Sequence, residues 1–399
     1  MTETEAMALL VMTQGLFYKR REAALSRAGS ALAVVGEPAA YGPELGAQGV
    51  AALRRTAERA PELLDALSRE GVSLLARGEA GYPPTLLGTH RPPHLLFCLG
   101  RADLSDRFPF AVVGTRRASA YGLRQTRVLA AELAASGVCV VSGLALGIDA
   151  QAHRGALDAR GRTVAVLGGA LDRFYPAENR PLMEEILAQG GSVVTEYPPG
   201  TPPGRYTFLE RNRIIAGMSL GVLVTEGGER SGAQRTVREA LDEGREIFAL
   251  PGNVDCTTAC LPNSLIAEGA HLVTCGADVL RALVIEPAPQ MRTEPAAQRQ
   301  PEQAASKRRG RANDRAAEGA PAEESGAETA IPRAMPQGLD EGGRAVWTAL
   351  QAGELDFDAL CESTGIDAQE LGALLTMMEM DGHVESRPGL RYALASQGE

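Results

Sequence analysis

From about residue 108 onward the chain is punctuated by short, unbroken apolar runs: Phe110–Val113, Val138–Ser142, Thr163–Leu167, Ser192–Thr195, Val222–Thr225 and Ile247–Leu250. Between them lie stretches with helical spacing, Tyr121–Ala135, Ala150–Asp158, Pro181–Ala188 and Gln234–Glu243. A strand with water on one face alternates apolar and polar residues, whereas a run with no polar positions is apolar on both faces. The pattern therefore predicts an α/β fold, with a parallel sheet covered by helices on both sides.

The flanks read differently. Residues 1–75 carry helical periodicity broken by glycine-containing turns, as in Leu25–Leu32 and Val50–Leu67, and predict a small helical domain. The α/β core is placed at 76–285. Residues 286–338 are rich in Ala, Pro, Glu, Gln and Arg and hold no aromatic. Such a composition buries too little apolar surface to order itself, so a flexible linker is expected there. As a coil of roughly 50 residues it would span about 40 Å root-mean-square. Beyond it, Arg344–Leu350, Phe357–Thr364 and Gln369–Met380 read as three short helices. Val384–Ser386 and Tyr392–Leu394 flank Arg387-Pro388-Gly389 as in a hairpin, so 339–399 is expected to be a winged-helix domain.

Composition narrows the chemistry. No run of about 18 apolar residues is present, so no membrane association is expected. The N-terminus sets acids before a short apolar stretch, the reverse of a secretory signal, which points to a cytoplasmic protein. Six cysteines are scattered, and the close pair Cys256 and Cys260 lacks companions at zinc-ligand spacing, so no metal is expected. Only Lys19 and Lys307 are lysines, and neither sits in a P-loop frame. The net charge of −10 is unevenly spread: residues 339–399 hold twelve acids and three arginines. Arg107 to Arg127, by contrast, holds five arginines and no acid.

In a doubly wound sheet, ligands bind beyond the C-terminal strand ends. Three glycine-containing turns fall there: VVGTRRASAYG (112–122), SGLALGIDAQAHRGAL (142–157) and VLGGALDRFYPAENRPL (166–182). Glycines allow close backbone approach, and helix N-termini offer N–H groups to anions. None is the dinucleotide GxGxxG fingerprint, and no cofactor is implied. RYTFLERNRIIAGMSLGVLVTEGG (205–228) sets Arg211, Asn212 and Arg213 against an apolar run and a strand. Two guanidiniums there require an anionic partner, either an internal carboxylate such as Glu196 or Glu226 or a ligand. His153 reads as a hydrogen-bonded structural residue and Asp149 as a brace at its helix N-terminus. No nucleophile or carboxylate pair stands at catalytic spacing.

These motifs resemble the DNA-processing protein A family (DprA, also called Smf) over about Tyr82 to Leu283. VVGTRRASAYG is similar to its VGSR-type turn, SGLALGIDAQAH to its SGxAxGID segment, and ALDRFYPAEN to its Gly-Leu-Asp…Tyr-Pro…Asn stretch. TEYPPGTPPGRYTFLERNRIIAG resembles its Phe-x-x-Arg-Asn-Arg signature, and GREIFALPGNV and NSLIAEGAHLV follow in register. Leu146 stands where many members carry a basic residue. The resemblance implies an extended Rossmann-like core that binds single-stranded DNA, dimerises through that core, shields the DNA and delivers it to the recombinase RecA during natural transformation. The implied DNA-binding positions are Gly114, Thr115, Arg116, Arg117, Ser142, Gly143, Arg173, Arg205, Phe208, Arg211, Asn212 and Arg213. Physically, Arg116 and Arg205 suit phosphates, and Phe208 offers a π-face to a base.

An enzymatic alternative is a related Rossmann-like phosphoribohydrolase, since EGGERSGAQRTVRE (226–239) is a distorted echo of PGGxGTxxE ending at Glu239. A scaffold for recombination proteins without DNA contact is the third class, and the acid-free arginine segment argues against it.

Overall fold

The structure is a computed structural model that describes residues 1–228, 231–285, 335, 341–351, 353–380, 383–387 and 391–395. It divides into two units, Met1–Met291 and Arg292–Glu399.

The first unit opens with five helices: α1 (Glu3–Met12), α2 (Tyr18–Ala28), α3 (Ala31–Gly36), α4 (Gly42–Glu58) and α5 (Ala60–Arg69). Their ends follow from local chemistry. Thr2 and Glu5 form a capping box at α1, Ser30 caps α3, and Gly29 ends α2 with φ 69°. The sheet region follows as β1 (Ser73–Ala76), α6 (Pro84–Leu87), β2 (Leu95–Gly100), β3 (Pro109–Val113), α7 (Ala120–Ala135), β4 (Cys139–Ser142), α8 (Ile148–Asp158) and β5 (Thr163–Val166). It continues with α9 (Arg180–Ala188), β6 (Ser192–Thr195), α10 (Arg205–Met218), β7 (Gly221–Val224), α11 (Gly232–Asp242), β8 (Glu246–Ala249), α12 (Cys260–Ala267), β9 (His271–Leu272) and α13 (Gly276–Ala282).

Among the described residues these strands form one sheet in the order β1-β2-β6-β5-β4-β3-β7-β8-β9. From β6 to β9 every pairing is parallel, while β2 runs antiparallel to both β1 and β6. The unbroken apolar runs are explained by two cores. In β3, Phe110 and Val112 face a core shared with α7 and α8, whereas Ala111 and Val113 face one shared with α10 and α11. All six sequence-predicted strands are present, each within one residue at either end.

The sequence pattern missed β1, β2 and β9. The boundary drawn between residues 75 and 76 falls inside β1. Leu9, Leu10, Leu45 and Leu53 of the helices are buried together with Ala76, Leu95 and Phe97 of the sheet, so helices and sheet edge share one core. The expected linker, 286–338, lies outside the described residues except for Met335.

The second unit comprises α14 (Glu341–Leu350), β10 (Leu355–Asp356), α15 (Phe357–Thr364), α16 (Ala368–Met380), β11 (Val384–Arg387) and β12 (Arg391–Leu394). Three helices and an antiparallel sheet of order β10-β12-β11 make a winged-helix domain. Of the expected turn, Arg387 ends β11, and residues 388–390 lie outside the described residues. Among the described residues no helix is long and apolar enough to cross a membrane.

Candidate nucleic-acid interface

The chain builds the sheet outward from β3 through β4, β5 and β6, then returns to lay β7 on the other side of β3. Connections leaving β3 and β7 therefore diverge, and a crevice opens beyond their C-terminal ends. All twelve implied DNA-binding positions lie at this end of the sheet: Ser142 ends β4, and the others lie in the loops after β3, β4 and β5 or on α10.

The loop after β3 is held by its backbone. The Thr115 N–H donates to the Glu226 carbonyl at 2.8 Å, and the Thr115 carbonyl accepts from Ile148 at 3.3 Å. The Arg117 N–H donates to Thr115 Oγ1 at 3.2 Å. At Gly114 a Cβ would run into Ile148 and the Glu226 carbonyl, so only glycine lets the strands' ends close this tightly. With the backbone pinned on both sides, the side chains of Arg116 and Arg117 stand exposed.

The N-terminus of α7 is not open to a ligand, contrary to the sequence expectation for this turn. The buried Glu226 carboxylate accepts from the Ser119 N–H at 2.8 Å and from its hydroxyl at 2.6 Å, and Ser119 Oγ accepts from Gly122. An internal anion fills the position that a phosphate would take.

The arginine triplet of α10 is also resolved in favour of internal partners. Arg211 is buried and donates to the carbonyls of Gly143, at 2.8 Å, and Val166, tying together the ends of β4 and β5. Burial pulls its pKa down to about 10, with the neighbouring Asp149 carboxylate acting in the other direction. Asp149 is itself raised by burial, against the pull of Arg211. Asn212 accepts from Arg211 Nε at 3.2 Å. Arg213 donates to Glu196 and, at 2.6 Å, to the Arg91 carbonyl, while Glu210 lies 3.9 Å from its Nε. Burial opposes the Arg213 charge, but Glu196 and nearby tyrosines outweigh it, and its pKa stays above the usual value. Ser142 is buried and donates to the Val112 carbonyl at 2.7 Å. A Cβ at Gly143 would overlap the Arg211 guanidinium. The side chains of Ser142, Arg211, Asn212 and Arg213 are thus engaged by internal partners.

What remains at the surface is a cationic rim. Arg116, Arg117, Arg173 and Arg205 are all exposed, and Arg173 has Asp172 at 3.6 Å. Phe208 is half-buried. The Arg116 guanidinium carbon lies over its ring, 5.1 Å from the centroid. Its Cδ1–Cε1 edge abuts Gly168, where a Cβ would overlap it. Tyr175 lies 5.8 Å from Phe208, ring centre to ring centre, tilted by 46°, and is 50% exposed. Sequence reasoning did not select Tyr175, although the loop motif containing it was visible; an aromatic among Pro, Asp and Arg residues was the available signal.

His153 behaves as the sequence indicates: Nδ1 meets Thr163 Oγ1 at 2.7 Å in the core, and burial, then Arg211, lower its pKa to about 3. Asp149 accepts from the Ala145 N–H at 3.4 Å, bracing the loop before α8. Glu239, the carboxylate that an enzymatic reading needs, pairs with Arg235 at 2.7 Å. Residues 229–230 of that segment lie outside the described residues.

Fold and site together define a class: a Rossmann-like, mostly parallel sheet whose strand ends carry exposed arginines around two aromatic rings, in a chain that also holds a winged-helix domain. The sequence profile described as DNA recombination-mediator protein A matches residues 73–284, and that described as the DprA winged helix domain matches 317–389. The chain belongs to the DprA/Smf family. It is similar to Protein Smf of Escherichia coli, 46% identical over 202 residues, which is 51% of this chain and 54% of that protein. It is 34% identical to Protein Smf of Synechocystis over 338 residues, 83% of this chain and 82% of the relative. Among solved structures it resembles DNA processing protein A from Streptococcus pneumoniae, with TM-score 0.59 and 35% identity, over 70% of this chain and 98% of that one. The match to the Escherichia coli protein spans about half of that relative's length.

Proposed function

We propose that the chain is a non-enzymatic protein that binds single-stranded DNA in the crevice beyond β3 and β7, with a role in DNA processing during transformation. The observation that carries this reading is the exposed Arg116 over the Phe208 ring with Tyr175 beside it, and the exposed Arg117, Arg173 and Arg205 close to these residues in the chain. Cations that track a backbone, combined with aromatic faces that accept any base, are the sequence-tolerant mode of single-strand recognition. Family membership and the names of its relatives, which include a DNA processing protein, support the assignment. By the same family reasoning the bound strand is shielded and passed to RecA, and the protein works in the cytoplasm as a homodimer through its Rossmann-like core.

A salt-dependent titration with single- and double-stranded oligonucleotides tests the core claim. The single strand is expected to bind more tightly, with log affinity falling linearly in log[salt]. Arg116→Ala and Arg117→Ala should each lower that slope by about 0.7, one phosphate contact on a single strand. Equal slopes in wild type and both variants would remove these arginines from the interface. The phosphoribohydrolase alternative has less support, because Glu239 is engaged by Arg235. Release of free base from nucleoside monophosphates would reinstate it.

A further inference from the structure

We propose that Tyr175, not Phe208, is the surface on which a base stacks, and that Phe208 serves the phosphate contact by positioning Arg116; this rests on the single-strand reading above. A stacking platform needs a ring with open surface next to the charges that hold the backbone. Phe208 does not offer one freely. It is half-buried, the Arg116 guanidinium sits over it at 5.1 Å, and Gly168 abuts its edge. A base stacking where Arg116 now lies would displace the guanidinium from its cation–π contact, just where a phosphate contact is wanted.

Tyr175 has the opposite surroundings. Half of its surface is open, and its ring is backed by Phe208 at 5.8 Å. In the same loop, Arg173 is exposed two residues before it. The two aromatic positions thus divide the labour: Phe208 backs both an arginine and a tyrosine, and the tyrosine meets the base. Phe208 is a positioning residue on this view, and its loss should be read in the phosphate term.

The test compares binding of the full chain to oligo(dT) and to an abasic oligomer of equal length across a range of salt. Wild type should prefer oligo(dT). Tyr175→Ala should weaken oligo(dT) binding about tenfold, abolish the preference over the abasic strand and leave the salt slope unchanged. Tyr175→Phe should recover the preference. Phe208→Leu, which keeps apolar bulk against Gly168, should lower the salt slope by about 0.7 while the preference persists. A thermal melt of each variant confirms that the fold is intact, as expected for the half-exposed Tyr175. Full preference in Tyr175→Ala, or its loss in Phe208→Leu with an unchanged slope, would return the stacking role to Phe208 and overturn the proposal. Absence of any oligo(dT) binding by wild type at low salt would instead overturn the single-strand reading itself.

Discussion

Arg213 and Arg116 are both arginines of one crevice, yet they do opposite work. Arg213 is only 10% exposed, and its guanidinium meets Glu196 and the Arg91 carbonyl. Removing one partner of a buried pair leaves an uncompensated charge, which costs roughly 3–5 kcal/mol. Arg213→Met is therefore expected to lower stability on that order in urea titration, while affinity per folded molecule for single-stranded DNA stays near wild type. Lost affinity with unchanged stability would move Arg213 into the interface. The sequence placed both residues at the site but left the partner of Arg213 open, for a physical reason. Arg211 shows why: its partners are the carbonyls of Gly143 and Val166, far away in the chain, and a carbonyl carries no residue identity to read. Phe208 and Tyr175 pose the same problem, since only the fold tells which ring a guanidinium covers.

Helix α8 illustrates what a single element contributes. Its His153 is buried against Thr163 of β5, and burial, then the nearby Arg211 charge, lowers its pKa to about 3. In the unfolded chain the imidazole returns to its ordinary value of about 6.5. The folded pKa is depressed, so the unfolded state takes up the extra proton between those values, and stability falls as pH drops from about 6.5 toward 3. His153→Gln should flatten that fall by about one proton, measured as stability in urea at a series of pH values. An identical pH dependence in the variant would mean that His153 takes up its proton equally in the folded and unfolded chain. Elements also show where pattern reading succeeds. The six strands and four crossover helices stood out because both faces of each strand are apolar. Helix α10 did not, because it buries Glu210, Arg211 and Asn212 beside Ile214 and Ile215, and paired or capped polar groups look like surface. Strands β1 and β2 escaped because they pair antiparallel with only the four-residue α6 between them, too short for the crossover helix that marks a parallel pair.

At the scale of the whole molecule, charge is partitioned between the two units. The winged-helix segment 339–399 carries twelve acids against three arginines, and the arginine-rich turn lies in the core. A helix that reads a major groove normally presents Arg, Lys, Asn or Gln; Asp367 to Met380 has Gln369 alone, with Asp367, Glu370 and Glu379. A phosphate backbone would be repelled by such a domain, so protein is its expected partner. Deleting Leu339–Glu399 should leave single-strand affinity within a factor of a few. A tenfold loss with the core still folded would assign the domain to DNA.

The core shared by α1 and β2 also sets a clock. Leu9 and Leu10 share their core with Leu95 and Phe97, which lie 85 or more residues later. At roughly 5–20 residues per second of translation, that interval is on the order of five to twenty seconds. During it Val34, Leu45 and Leu53 of the following helices cover part of the α1 flank, and the part that meets β2 stays open. The ribosome must therefore deliver the sheet edge before the first helices of the chain can come to rest.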